Sequence, residues 1–267
     1  MGKKWMDLDG KVIIVTGGSM GIGAHIVDTL VACNAKVAIA DLSPCDKYED
    51  NENVIYVPCN VTKLESVEDM VKTVVDTFGR VDGLVNNAGV NRPRMLVDYY
   101  NGNPYYENDE DDFYFMVDVN MKGVMFCAQA VARVMIEQKS GVIVNMTSEA
   151  GMEGSKCQNI YSATKGAVNS FTLSWAKELG QFNIRVVAVA PGINEPTPMG
   201  NPEHVKELAY TRGQDANNVA TDYQKIIPLG RVGLLDEIAD HVAYLLSDHA
   251  SYITGTISNI TGGKSRG

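Results

Sequence analysis

The chain predicts an α/β fold built as one domain, with a doubly wound parallel sheet and helices on both faces. Short β-branched runs alternate with stretches whose apolar residues fall at helical spacing. A glycine cluster joins the first such run to the first such stretch. No linker, repeat or low-complexity segment interrupts the 267 residues. Repeated strand–helix–strand units close by right-handed crossovers, and that rule turns the alternation into a parallel sheet.

In order, Lys11–Thr16 (KVIIVT) reads as a buried strand, and the segment from Gly21 to Cys33 as a helix with Ile22, Ile26, Val27 and Leu30 inward. Lys36–Ala40 and Asn53–Val57 are strands. Leu64–Phe78 is a helix with Val67, Met70, Val71, Val74 and Val75 on one face. Asp82–Asn86 is the fourth strand, a long helical stretch ends near Gln138, and Gly141–Met146 is the fifth strand. Asn159–Leu179 is helical, Ile184–Val189 is strand six, Leu235–Leu246 is a helix and Thr256–Ile260 a last strand. This is a Rossmann-like succession, whose ligands bind beyond the carboxyl ends of the strands.

Two stretches break the pattern. Asn91–Asn108 is rich in Asn, Pro, Gly and Tyr and predicts a surface loop. The acidic run Glu107–Asp112 after it suits a helix start, where carboxylates meet the positive end of the dipole, better than a metal site. Residues 193–228 follow strand six without strand periodicity and predict a substrate lid at the carboxyl edge.

The balance of 23 Lys+Arg against 33 Asp+Glu leaves a net charge of -10. Such a chain repels phosphodiester backbones, which argues against a nucleic-acid partner but not against a small anion in a local basic pocket. The five cysteines are scattered, without a CxxC pair, so reduced thiols, no metal and a cytoplasmic setting are expected. Met1–Gly10 is polar apart from Trp5, Met6 and Leu8, and no apolar run approaches the roughly 20 residues of a membrane span.

Thr16-Gly17-Gly18-Ser19-Met20-Gly21-Ile22-Gly23 stands at the first strand-to-helix junction. Glycines let a backbone turn tightly and approach a pyrophosphate, and the helix start offers N–H groups to it. Gly17, Ser19, Met20, Gly21, Ile22 and Gly23 are therefore the predicted cradle of a dinucleotide. Asp41, followed by Leu42, ends strand two where an acid can accept from the adenosine ribose hydroxyls. A carboxylate there repels the extra phosphate of NADP, so NAD is expected.

Tyr161 and Lys165 lie four apart on a helix and share a face. A tyrosine of pKa about 10 is a weak base near neutrality; a nearby ammonium is expected to lower it. Tyr161 would then take a proton from an alcohol as hydride leaves. Ser148, at the end of strand five, could hold the substrate oxygen. Asn120 is an unfavourable helix-interior residue; it could hold a water that relays protons to Lys165, or be a buried hydrogen-bonded amide.

TGGSMGIG, Asn86-Asn87-Ala88-Gly89, Asn120, Ser148, Tyr161-x-x-x-Lys165 and Pro191-Gly192, in this order over about Lys11 to Gly263, resemble the short-chain dehydrogenases. The resemblance implies a Ser-Tyr-Lys catalytic group supported by Asn120. It implies Asn86, Asn87, Ala88 and Gly89 beside the adenosine half, with Asn60 and Val61 near adenine. Pro191, Gly192 and Ile193 would line the nicotinamide, with Thr197 reaching its amide or the phosphates. It also implies a homotetramer or dimer. Two departures are Asn60, where the family usually has aspartate, and a longer spacing from Gly192 to Thr197.

Segments Asp82–Asn91, Ser148–Ser155, Ala209–Gly213 and Thr261–Gly267 resemble the branch of that family that oxidises sorbitol 6-phosphate at C2 to fructose 6-phosphate. For a sugar phosphate, Glu149 and Glu153 are candidate acceptors of polyol hydroxyls. Arg92, Arg94, Lys156 and Arg212 are candidate phosphate ligands. The alternatives keep the chemistry on a hydroxysteroid, a 3-ketoacyl or an unphosphorylated polyol substrate. Met95, Leu96, Met152 and Met199 are the apolar side chains a steroid would want. A more remote alternative is a non-catalytic NAD-binding sensor.

Overall fold

In the computed structural model, residues 6, 8–214 and 223–265 are described. Residues 215–222 of the predicted lid, and Arg266 and Gly267 of the C-terminal segment, lie outside them. Seven strands form one sheet: β1 (Val12–Thr16), β2 (Lys36–Asp41), β3 (Val54–Pro58), β4 (Gly83–Asn86), β5 (Gly141–Met146), β6 (Ile184–Pro191) and β7 (Ile257–Ile260). Their order is β3-β2-β1-β4-β5-β6-β7, and every pairing is parallel. The chain winds outward from β1 to β3, then returns to β4 and winds the other way. The crevice between the carboxyl ends of β1 and β4 is thus the switch point where such sheets hold ligands.

The helices are α1 (Gly21–Ala32), α2 (Leu64–Phe78), α3 (Glu110–Val117), α4 (Val124–Gln138), α5 (Ala150–Glu153), α6 (Asn159–Leu179), α7 (Pro202–Arg212), α8 (Tyr223–Ile226) and α9 (Leu235–Leu246). Strand side chains alternate between faces, and β1 shows it directly. Ile13 and Val15 enter one core with Ile26, Leu30, Ile238 and Val242 of α1 and α9. Val12 and Ile14 enter a second core with Met70, Val74, Val131 and Met135 of α2 and α4. Both faces are covered, so β1 is apolar along its length rather than alternating.

The expected strands and helices are present within one or two residues. β6 runs two residues past Val189 because Pro191 pairs with Ile260 of β7. The acidic run begins α3: Asp109 caps it by accepting from the Asp112 amide at 2.7 Å. A π turn, Asp118–Gly123, joins α3 to α4. The resulting run Glu110–Gln138 is long and apolar enough to cross a membrane, but half of its most apolar stretch is buried inside the protein. Met116, Cys127, Val131 and Met135 point into the interior, which makes it a core helix.

The predicted loop Asn91–Asn108 lies largely at the surface and is anchored at several points. Arg94 bridges to Gln158 and Met95 to Glu107, and the Tyr106 ring stacks on Tyr210 of α7 at 3.6 Å. Within residues 193–228, α7 starts with Asn201 accepting from the His204 amide at 2.9 Å and with Pro202, whose ring suits a helix start. It stops at Gly213, whose φ of +70 is left-handed.

Candidate active site

The first turn of α1 is capped by Met20 with no side-chain hydrogen bond. The first amides of any helix lack intrahelical acceptors, and here no side chain of the cap supplies one. Packing in front of it leaves room only for hydrogen at two positions. A Cβ on Gly23 would stand 2.0 Å from the Gly17 carbonyl oxygen, and one on Gly17 would stand 2.9 Å from Ala88 Cα. Asn87 locks this arrangement. Its Nδ2 donates to the carbonyls of Thr16 and Gly17 at 3.0 and 2.9 Å, while Thr16 Oγ1 accepts from the Asn87 and Ala88 amides. The result is a backbone-lined cradle with a helix start behind it, which fits a dinucleotide pyrophosphate.

Asp41 stands beside the cradle. Its carboxylate accepts from the Ser19 amide at 3.0 Å and the Ser43 amide at 3.1 Å. Each oxygen can accept again, so a ribose diol can share it. Asn60 Oδ1 accepts from Thr62, through its amide at 3.0 Å and its hydroxyl at 2.8 Å, closing a turn before buried Val61 packs on Gly123. A Cβ on Gly21 would lie 3.4 Å from Thr197 Cβ, so Thr197 reaches the cradle despite its longer spacing. Gly192 abuts Thr261, with the Gly192 amide donating to Ile260 at 2.9 Å and Ile193 accepting from the Gly233 amide at 3.0 Å. Asn86 corrects an expectation. Its side chain is buried and donates to Asn145 Oδ1 at 2.9 Å, which turns it into the sheet rather than toward a cofactor.

The four residues expected to carry chemistry converge at the carboxyl end of β5. The Ser148 hydroxyl stands close enough to the Tyr161 phenol to act on its ionisation. Lys165 Nζ lies 5.7 Å from the Tyr161 ring centroid and donates to the Met146 carbonyl at 2.8 Å. Asn120 sits in the π turn, where its amide brackets Val90, accepting from its N–H and donating to its C=O, both at 2.8 Å. It also donates to Thr164 Oγ1 at 3.2 Å. A Cβ on Gly89 would stand 3.4 Å from Asn120 Oδ1 and 3.5 Å from Lys165 Nζ, which puts these three residues in one place. The unfavourable helix position of Asn120 thus has a structural reason, a locally widened helix tied to the β4 loop.

Electrostatics corrects the expected tuning. Burial pushes Lys165 down to about 8, because an ammonium there loses its hydration. Burial also raises Tyr161; the Ser148 hydrogen bond opposes this and the Glu149 charge adds to it. Burial outweighs the lowering expected from Lys165, whose Nζ donates to the Met146 carbonyl.

The charges expected around the substrate have internal partners. Arg94 is 7% exposed and pairs with Asp112 at 3.1 Å and Glu207 at 2.9 Å, so it is withdrawn as a phosphate ligand. Arg92 pairs with Asp112 at 2.9 Å and lies over the Phe115 ring. Glu149 meets Lys264 at 2.8 Å and the Ser265 hydroxyl at 2.7 Å, and Glu153 meets Lys264 at 3.3 Å. Both carboxylates therefore hold the C-terminal segment rather than standing open to a polyol. Lys156 is exposed, with the Tyr99 and Tyr100 phenols near enough to raise its pKa. Sequence reasoning did not foresee the Lys264 contacts, since 115 residues separate it from Glu149.

The short chain dehydrogenase family model matches residues 11–207. A sorbitol-6-phosphate 2-dehydrogenase of Klebsiella pneumoniae is 49% identical over 98% of this chain and 99% of its own. A 3-oxoacyl-[acyl-carrier-protein] reductase of Thermotoga maritima is 37% identical over 97% and 99%. A 3alpha-hydroxysteroid dehydrogenase of Mediterraneibacter gnavus is also 37% identical, over 97% and 98%. Among solved structures, a 3-ketoacyl-(acyl-carrier-protein) reductase from Brucella melitensis complexed with NADH superimposes with a TM-score of 0.80 at 29% identity, covering 97% of this chain and all of that one. On this fold, this cradle and these relatives, the chain belongs to the short-chain dehydrogenases, oxidoreductases that act on CH–OH groups with a nicotinamide cofactor.

Proposed function

We propose that the protein oxidises the C2 hydroxyl of sorbitol 6-phosphate with NAD, giving fructose 6-phosphate. The observation that carries the substrate is the 49% identity, over nearly the whole of both chains, to a sorbitol-6-phosphate 2-dehydrogenase. NAD rather than NADP follows from Asp41, whose carboxylate stands at the cradle where a 2′-phosphate would add like charge. Gly17, Ser19, Met20, Gly21, Ile22 and Gly23 would hold the pyrophosphate. Leu42, Asn60, Val61, Ala88 and Gly89 would flank adenosine, with Asn87 fixing the loop. Pro191, Gly192 and Ile193 would back the nicotinamide.

Nicotinamide, when bound, accepts a hydride. The protein's part is the proton and the oxygen. Ser148 and Tyr161 hydrogen-bond the substrate hydroxyl, and Tyr161 takes its proton. Lys165, where it is protonated and turns from the Met146 carbonyl to the phenol, would stabilise the phenolate. Asn120 holds the widened helix and, through it, the place where a water reaches Lys165. Ser148 then faces the charge that develops on the substrate oxygen.

Residues 193–228 act as the lid, the whole chain as one domain, in the cytoplasm and as a tetramer. The test is NADH formation from D-sorbitol 6-phosphate, with D-sorbitol, a hydroxysteroid and the reverse reaction on a 3-ketoacyl thioester in parallel. Preference for the phosphorylated polyol is expected. Turnover of one of the others with none of it would move the substrate to the relatives at 37% identity.

A further inference from the structure

A cation selects an anionic substrate only if no internal carboxylate already neutralises it. Around this pocket Arg92, Arg94 and Lys264 are each paired with at least one carboxylate. Lys156 stands exposed against two phenols. Arg212 differs from all of them.

Arg212 is the last residue of α7 and is half-buried. Among the described residues it forms no ion pair. Its Nη2 reaches only Ser155 Oγ, at 3.4 Å, which is long for such a bond. Ser155 lies in the segment that leads from Ser148 to Tyr161, so the guanidinium stands against that segment. The end of α7 is held there on two sides. Cys157 Sγ donates to the Thr211 carbonyl at 2.9 Å, and Gly213 sits so close to the Tyr100 hydroxyl that a Cβ would be 2.7 Å from it. Burial lowers the Arg212 pKa, as expected of a charge that has lost water without an ion-pair partner among the described residues. The carboxylate that acts on it through space, Glu149, is already matched by Lys264 and Ser265.

We propose that Arg212 binds the phosphate of the substrate and selects a phosphorylated polyol over a free one. The inference rests on the sugar-phosphate reading above and names the residue that enforces it. A guanidinium presents paired donors to phosphate oxygens, and a phosphate would supply the counter-charge that none of the described residues supplies.

Wild type, Arg212→Gln and Arg212→Lys are assayed with NAD on D-sorbitol 6-phosphate and D-sorbitol. Inorganic phosphate is titrated as an inhibitor against whichever alcohol turns over. Arg212→Gln is expected to lower the ratio of kcat/KM for the phosphorylated over the free polyol by roughly tenfold or more, mainly through KM. Inhibition by inorganic phosphate weakens to the same extent, and Arg212→Lys recovers part of both. A wild-type preference that survives Arg212→Gln overturns the inference and leaves the substrate reading standing. If wild type shows no preference for the phosphorylated polyol, the substrate reading fails and phosphate inhibition decides. Competitive inhibition lost in Arg212→Gln upholds Arg212 as the anion site; inhibition absent in wild type, or equal in both, overturns it. Should Arg212→Gln not fold, Arg212→Lys carries the comparison, with a smaller loss in the same direction.

Discussion

The cofactor side and the substrate side of this site are built on different principles. Beside β1, the cradle is backbone: Gly17 and Gly23 leave no room for a Cβ, Asn87 ties two strand ends together, and the cap of α1 makes no side-chain hydrogen bond to its first amides. Beside α7, the wall is side chains whose charges cancel across the chain, as where Arg94 meets Asp112 and Glu207. A backbone site works by shape and tolerates almost no substitution. A side-chain site works by what is left unpaired, and a single change redistributes charge over several elements.

The largest expected effect lies between the two sides. Tyr161→Phe removes the proton acceptor and lowers kcat by about 10³-fold or more while leaving cofactor affinity near wild type. Cofactor binding followed by protein fluorescence and steady-state rates on the same preparation check both halves. In wild type, burial holds the phenol above its ordinary pKa of 10, so oxidation is expected to rise through the alkaline range as the phenolate forms. A flat profile with chemistry rate-limiting counts against Tyr161.

The cradle is tested by contrast. Gly23→Ala, with a Cβ 2.0 Å from a carbonyl oxygen, is expected to cost about 10²-fold or more in cofactor affinity, whereas Gly200→Ala meets nothing within 4 Å and should change little. Equal effects at the two positions would mean the cradle is not shape-limited.

On the substrate side, Arg94→Ala leaves Glu207 without its cation and Asp112 with Arg92 alone. It is expected to destabilise the fold by about 3 kcal/mol, read by denaturant unfolding, without changing the preference for phosphorylated over free polyol. A shift in that preference with no loss of stability would return Arg94 to the substrate.

Lys165→Met should do the reverse and stabilise the protein. Holding the lysine at about 8 instead of its ordinary 10.5 costs about 3 kcal/mol, partly offset by its bond to the Met146 carbonyl. The penalty is fully present below pH 8 and fades as the pH rises toward 10.5, so the gain in unfolding free energy should shrink over that window. A gain independent of pH would locate the effect elsewhere.

The smallest effect expected is at Asp41. Asp41→Ala should reduce discrimination between NAD and NADP by roughly tenfold, and an unchanged ratio would remove Asp41 from the ribose.

The same contrast explains what the sequence made legible. Strand and helix positions, the cradle and the Ser148–Tyr161–Lys165 group depend on residue type at a local position in a regular fold, and each is found where its period or motif put it. β6 overran its pattern because its partner β7 lies far along the chain. Arg94 and Glu149 looked like open charges because Glu207 and Lys264, which engage them, are 113 and 115 residues away. The direction of the Tyr161 shift also escaped, since burial, its largest cause, depends on tertiary packing and not on a motif. Asn120 fell between these cases. Its unsuitability for a helix flagged it, but only the π turn showed what it holds.

The most direct test of the account follows the hydride itself. D-sorbitol 6-phosphate carrying deuterium at C2 is incubated with NAD and the enzyme, and both products are analysed by mass spectrometry. The account predicts reduced nicotinamide that gains one deuterium, fructose 6-phosphate that has lost it, and a slower rate than with the unlabelled substrate. Deuterium retained in the sugar product, or no reduced cofactor at all, would contradict it.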